Sequence, residues 1–229
     1  MRFALLFLLI SPLSSIYAKN RPSEAIGHYA RGKIKDASEL PNEGHGFVKI
    51  LRPRNRGYGT DELISFIQEI SFDFKVLFPT TERIQVGDIA SKTGGQLARH
   101  KSHQNGLDAD IVYMRKNHLE QKPDIKHRWV EYFVFRKKVT KNFDVKRNWE
   151  LLKLVAQHPQ VDRIFVDRVI KNKFCSYSRR KGEFKSYKEV LRKLRHEPYH
   201  KTHFHVRIKC PEGNNTCRDM RAIPAGSGC

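Results

Sequence analysis

The chain has 229 residues, with 44 lysines and arginines against 24 aspartates and glutamates, a formal net charge of +20 and a pI near 10. That length gives one domain a substantial core and leaves too little for two comfortable ones. The charge implies attraction to polyanions such as nucleic acid, anionic lipid or anionic wall polymer, and carries no information about fold.

Arg2, an apolar run over residues 3–10, Ser11-Pro12 and a small residue at Ala18 form the three-part pattern of an export signal, with cleavage expected near Ala18. The run is interrupted before reaching the roughly 20 apolar residues that a membrane span needs. Residues 1–18 are therefore read as the signal and 19–229 as the mature domain. Residues 19–60, rich in Gly, Pro, Asn and charge without a sustained period, read as an irregular wrap outside the core.

The first clear helix follows Thr60, which can cap it. Asp61 and Glu62 favour its positive end, and Leu63, Ile64, Ile67 and Ile70 share a face at helical spacing. A strand is expected over residues 84–86, then a Gly-rich polar stretch over 87–106 and a strand over 110–114 that opens on Asp110. Residues 116–148 are charged and aperiodic, with room for a short strand at the aromatic patch 132–135. A second helix is expected over 148–157, burying Leu151, Leu152 and Val155, and a strand over 163–166. Ser186 and Glu189 have the spacing of a capping box for a third helix carrying Val190, Leu191 and Leu194. Basic clusters at 136–138, 179–181 and 192–195 are scattered and read as solvated faces.

The last segment, 202–209, alternates cleanly. His203, His205 and Arg207 share one face of a strand while Phe204, Val206 and Ile208 point to the core. Neighbouring histidines on one face sit about 6–7 Å apart along the chain, which suits one for metal ligation and the other for work beside the metal. The segment R-H-K-S-H-Q-N-G-L-D-A-D (99–110) adds His103 and Asp110 around a turning glycine. Two imidazoles and one carboxylate give Zn2+ three protein ligands and leave a fourth position open, the arrangement of hydrolytic rather than structural zinc.

Cys175, Cys210, Cys217 and Cys229 all lie in the C-terminal quarter. An even count in an exported chain favours disulfides, and three pairings are open. None of the spacings gives the close C-x2-4-C pairs of a structural zinc site.

S-H-Q-N-G-L-D-A-D-I (102–111) with H-K-T-H-F-H-V-R-I-K-C-P (200–211) resembles the penicillin-insensitive murein endopeptidases, part of the fold group shared by lysostaphin-type enzymes, D-Ala-D-Ala metallopeptidases and the hedgehog signalling domain. The likeness extends to R-P-R-N-R-G-Y-G (52–59), V-G-D (86–88), L-K-L-V-A-Q (152–157) and R-I-F-V (163–166), and leaves residues 116–143 unmatched.

The resemblance implies an α+β single domain in which a small antiparallel sheet carries the zinc site between flanking helices. It implies His103, Asp110 and His205 as ligands of one catalytic Zn2+, with His203 as general base or transition-state stabiliser and His200 lining the site. His100 matches a histidine that can bind a second metal, but the Asp-x-x-His partner is not recognisable in register, since Asp124 and His127 have the spacing in the wrong place. Cys210 with Cys217 and Cys175 with Cys229 match family disulfides.

The implied reaction is hydrolysis of the D-alanyl-meso-diaminopimelyl amide in cross-linked peptidoglycan, in the periplasm and without sensitivity to β-lactams. A D,D-carboxypeptidase or dipeptidase of the same fold group is the near alternative. An exported basic polyanion-binding protein is the distant one. The basic charge suggests an anionic wall or membrane surface as a further partner, and no specific nucleic acid is expected.

Overall fold

A computed structural model describes residues 21–229, so the export signal expected over residues 1–18 lies outside the described residues. In chain order the elements are β1 (Glu24–His28), β2 (Arg31–Lys35), β3 (Ser38–Glu39), β4 (Glu43–Gly44), β5 (Phe47–Lys49), β6 (Tyr58–Gly59), α1 (Asp61–Leu77), β7 (Ile84–Val86), β8 (Asp108–Val112), β9 (Val134–Phe135), β10 (Lys138–Val139), α2 (Val145–Gln157), β11 (Val161–Val166), α3 (Arg168–Arg180), α4 (Lys188–Lys193), β12 (Leu194–His196), β13 (His203–Ile208) and β14 (Cys217–Arg218). None of these helices is long and apolar enough to cross a membrane.

The chain is an α+β domain, but its sheet is not the small antiparallel one expected. Seven strands run in the order β12-β11-β13-β8-β7-β5-β4, with parallel pairs β11/β12 and β5/β7 among antiparallel ones. The extra strands, β4, β5 and β12, have two or three residues, and β4 and β5 come from the stretch that reads as an irregular wrap. Strands so short carry too little alternation to be recognised. The same stretch forms the β1/β2 hairpin, which braces the Gly-rich loop: Ile34 N donates to Thr93 O at 3.0 Å and Gly95 N to Gly32 O at 3.1 Å.

Helix α1 begins as its sequence dictates, with Thr60 Oγ1 accepting from Leu63 N at 3.3 Å. Its buried stripe is Leu63, Ile64, Phe66, Ile67, Ile70 and Phe74. Burying each such side chain contributes roughly 1.5–3 kcal/mol. Helix α2 starts three residues before the expected 148, because Asp144 caps it by accepting from Arg147 N at 2.9 Å.

The Ser186/Glu189 capping box does not form. Helix α4 begins at Lys188 without a side-chain cap, Glu189 pairs instead with Arg192, and Leu194 opens β12. Between α2 and α4 lies a helix, α3, which the pattern did not reveal. Asp167 caps it, accepting from Val169 N at 2.7 Å, and it buries Ile170, Phe174 and Cys175.

Strands β8 and β13 are central to the sheet, and their antiparallel register sets His205 opposite Asp110, Arg207 opposite Asp108 and His203 opposite Val112. Directly opposed residues share a face, so Asp108, Asp110, His203, His205 and Arg207 line one side. Ala109, Ile111, Phe204 and Val206 line the other, buried in the core. There Phe204 packs 5.7 Å from Tyr113, and Tyr113 leads through Phe143 to Phe174 of α3. Disulfides join Cys175 to Cys229 and Cys210 to Cys217, the second just beyond β13.

Candidate metal centre

On the polar face of β8 and β13, Asp110 Oδ1 is the hub. It lies 3.3 Å from His103 Nε2, 3.5 Å from His203 Nε2 and 3.7 Å from His205 Nδ1. The Gly-rich loop delivers His103 in a left-handed conformation, φ 65°, which non-glycine residues seldom adopt outside turns and functional sites. Gly106 makes that turn possible, because it has φ +75° and a Cβ there would sit 2.7 Å from Ile34 Cδ1.

Each ring is held by its far nitrogen. His103 Nδ1 donates to Ile89 O at 2.6 Å, which leaves Nε2 for the centre. Asp108 Oδ1 accepts from His205 Nε2 at 2.7 Å and from Arg207 Nε at 2.6 Å, while its Oδ2 accepts from His103 N at 3.0 Å. His205 therefore presents Nδ1. A carboxylate behind a ligating histidine fixes its tautomer and raises its basicity.

The sequence pattern did not single out Asp108, although its two-residue spacing from Asp110 on a strand places both carboxylates on one face. His200 is also present at the site, its Nδ1 bonded to Pro198 O at 2.8 Å and its ring 5.2 Å from that of His203.

His203 is clamped from two sides. Thr202 Oγ1 lies 2.7 Å from its Nδ1, and Trp129 stacks on its ring at 4.3 Å between centroids and 19° between planes. Trp129 comes from the stretch 116–143 that resisted reading. It reaches the site because Gly87 has no side chain: a Cβ there would lie 2.3 Å from the indole.

His100 sits with its ring 4.4 Å from that of His103, and His100, His103 and Asp110 offer ligand atoms all within 4.8 Å of one another. Its Nε2, however, is engaged by Asp88 Oδ2 at 2.9 Å, whereas His205 Nδ1 is not committed elsewhere. Asp124 and His127 do not join that cluster.

Burial pushes His203 down to about 4 against the pull of Asp110, and pushes His205 down to about 3 against that of Asp108. Burial would lower His103 as well, but Asp110, Asp108 and Asp88 outweigh it and lift the ring to about 9. Asp110 stays well below the usual carboxylate range because His203 and His103 outweigh its burial.

His103 Nε2 and both oxygens of Asp110 are buried without a hydrogen-bond partner. A buried carboxylate and imidazole left unsatisfied are costly unless something else occupies the space between them. Oriented nitrogen and oxygen donors around such a gap fit a divalent cation, zinc above all.

An α+β fold that holds a buried, open His/His/Asp cluster of this kind defines a metal-dependent hydrolase. A family model described as penicillin-insensitive murein endopeptidase matches residues 25–229. Similar proteins include the penicillin-insensitive murein endopeptidases of Haemophilus influenzae, 36% identical over 95% of this chain and 73% of that protein, and of Escherichia coli K12, 31% identical over 90% and 74%. The one from Klebsiella pneumoniae is 30% identical over the same shares as the latter. The chain belongs to the penicillin-insensitive murein endopeptidase family.

Proposed function

We propose that this chain is a zinc-dependent endopeptidase that cuts the D-alanyl-meso-diaminopimelyl amide of peptidoglycan cross-links in the periplasm. The observation that carries the reading is the set of buried, unpartnered atoms His103 Nε2, Asp110 Oδ1 and Asp110 Oδ2. In this reading His103, Asp110 and His205 hold one Zn2+. When bound, the ion supplies Lewis acidity that activates water and polarises the scissile carbonyl.

The chain's own residues do the rest. Asp108 and the Ile89 carbonyl aim the ligand rings. His203, uncharged at neutral pH, takes the proton of the attacking water at Nε2 and returns it to the leaving amine. Trp129 and Thr202 keep its ring in plane for both transfers. His200, with Nδ1 bonded to the main chain, turns Nε2 to the oxyanion side. No serine or thiol nucleophile takes part, so β-lactams do not inhibit the reaction. The net charge of +20 supports concentration on an anionic wall or membrane surface, through binding that weakens as salt rises.

The test is purified protein with cross-linked muropeptide dimers, with and without a chelator, beside His205→Ala. Conversion to monomers that disappears in both controls supports the reading. Intact dimers with trimmed tails would transfer the chain to the carboxypeptidases, and zinc binding without hydrolysis would overturn the enzyme assignment.

A further inference from the structure

A second cluster lies one imidazole away from the metal ligands. Asp88 Oδ2 accepts from Arg54 Nη1 at 2.7 Å, Arg56 Nη1 at 3.1 Å and His100 Nε2 at 2.9 Å. Two guanidiniums on one carboxylate leave a full positive charge over. The excess faces outward, because the Asp88 side chain is 1% exposed and those of Arg54 and Arg56 are 15% and 20% exposed.

Arg54 spends its Nε on Lys126 O, and Arg56 shares Nη1 between Asp88 and a long contact to Ala98 O, so the remaining guanidinium donors of Arg56 stay available. Beside Arg56 is a cavity of about 100 Å³ bordered by Lys49, Arg52, Asn55, Gly87 and Asp88, with the Glu39 carboxylate in its wall held by Lys49 Nζ at 2.9 Å. Its inner wall, Gly87 and Asp88, is the pair that hydrogen-bonds the main chain of the ligand Asp110.

The proposed substrate supplies a matching group. In a D-alanyl-meso-diaminopimelyl cross-link, the carbon bearing the scissile nitrogen also bears a free carboxylate. One carbon therefore separates an anion from the bond to be cut, and an enzyme that holds that bond at the metal must place the anion close by.

The geometry points to Arg56, with Arg54 beside it, as the subsite that binds this carboxylate. Asp88 orients both guanidiniums and at the same time fixes His100, which couples the anion subsite to the metal centre. Arginine suits the task, since its planar fork meets a carboxylate with two parallel hydrogen bonds. The pair thus selects cross-links whose leaving amine carries an adjacent carboxylate.

This inference rests on the proposed reaction, and its test separates the two. Zinc-loaded wild-type protein is given muropeptide dimers whose cross-linked diaminopimelyl carboxylate is free or amidated, and the steps are repeated with Arg56→Gln and Arg56→Lys. Calorimetry measures binding of the monomeric product peptide in its free and amidated forms. The expected result is a wild-type preference for the free carboxylate of about tenfold or more in kcat/KM, carried by KM. Arg56→Gln erases that preference by losing only the free substrate, and Arg56→Lys restores part of it.

Equal cleavage and equal binding of the two forms by wild-type protein would overturn the subsite without any variant. So would an Arg56→Gln loss that is the same for both. If wild-type protein cuts neither dimer, the proposed reaction fails, and calorimetry alone then decides the subsite: tighter binding of the free product that Arg56→Gln abolishes upholds it, and equal binding removes it.

Discussion

In the metal cradle, His103 Nε2 and both Asp110 oxygens are buried with no partner, whereas at the rim a single oxygen of Asp88 serves Arg54, Arg56 and His100 together. The cradle is underfilled by protein donors, and the rim carries more cation than its carboxylate can neutralise. The first calls for a cation and the second for an anion. The width of one histidine thus separates two complementary deficits, and mutations can tell them apart.

The largest effect is expected from His103→Ala or Asp110→Ala, which should release the metal and cut dimer hydrolysis by at least about a thousandfold. Zinc retained at full stoichiometry by elemental analysis would place the ligands elsewhere. Asp108→Asn removes the charge behind His205 while keeping its shape. It should weaken zinc by about 10–100-fold in chelator competition, with a native circular dichroism spectrum.

Trp129→Ala should leave zinc in place and lower kcat by roughly tenfold, because the ring of His203 loses one of its two clamps. A raised KM with unchanged kcat would instead assign the indole to substrate. Replacing Cys175 and Cys229 by serine should remove about 2–4 kcal/mol of stability and lower activity at moderate temperature less than any change above, since the bond ties α3 to the C-terminus while the β13 it encloses is still held by its pairing with β8 and β11.

The mildest perturbation is pH, applied to the zinc-free protein. Between about 6.5 and 9 the folded chain holds a proton on His103 that the unfolded chain has released, so stability falls as pH rises through that window. From about 6.5 down towards 4, the unfolded chain takes up protons that His203 and His205 refuse, so stability falls again as pH drops. Thermal unfolding should therefore peak near pH 6.5. Zinc should flatten the alkaline arm, because it replaces the His103 proton. A monotonic profile across pH 4–9 would show that these rings are not buried together.

The cradle was legible in the sequence and the rim was not, for a physical reason. His203, His205, Asp108 and Asp110 lie on two strands, where period two fixes which side chains share a face. Arg54, Asp88 and Trp129 come from three separate connecting segments, and no periodicity joins a turn before α1 to a stretch 75 residues later. Even there, each carries a local sign: Gly87 precedes Asp88 because an indole must pass, and the arginines alternate in R-P-R-N-R.

Helix α3 escaped for another reason. Its apolar stripe is thin, with Ile170 and Phe174 set among lysines, arginines and serines, so only the Asp167 cap announced it. The short strands β4 and β5 had no room to show alternation. The mixed sheet therefore emerged only from the pairing of the whole chain.

The position of β13 also sets a timetable. It lies between β11 and β8 in the middle of the sheet, yet it is the last of the seven strands to be made. A chain emerging from a ribosome carries His103 and Asp110 long before it presents His203 and His205. Until those residues arrive, the sheet has a gap at its centre and the cradle has one wall. The cradle is thereby completed only when the last strand of the sheet docks between two that are already made.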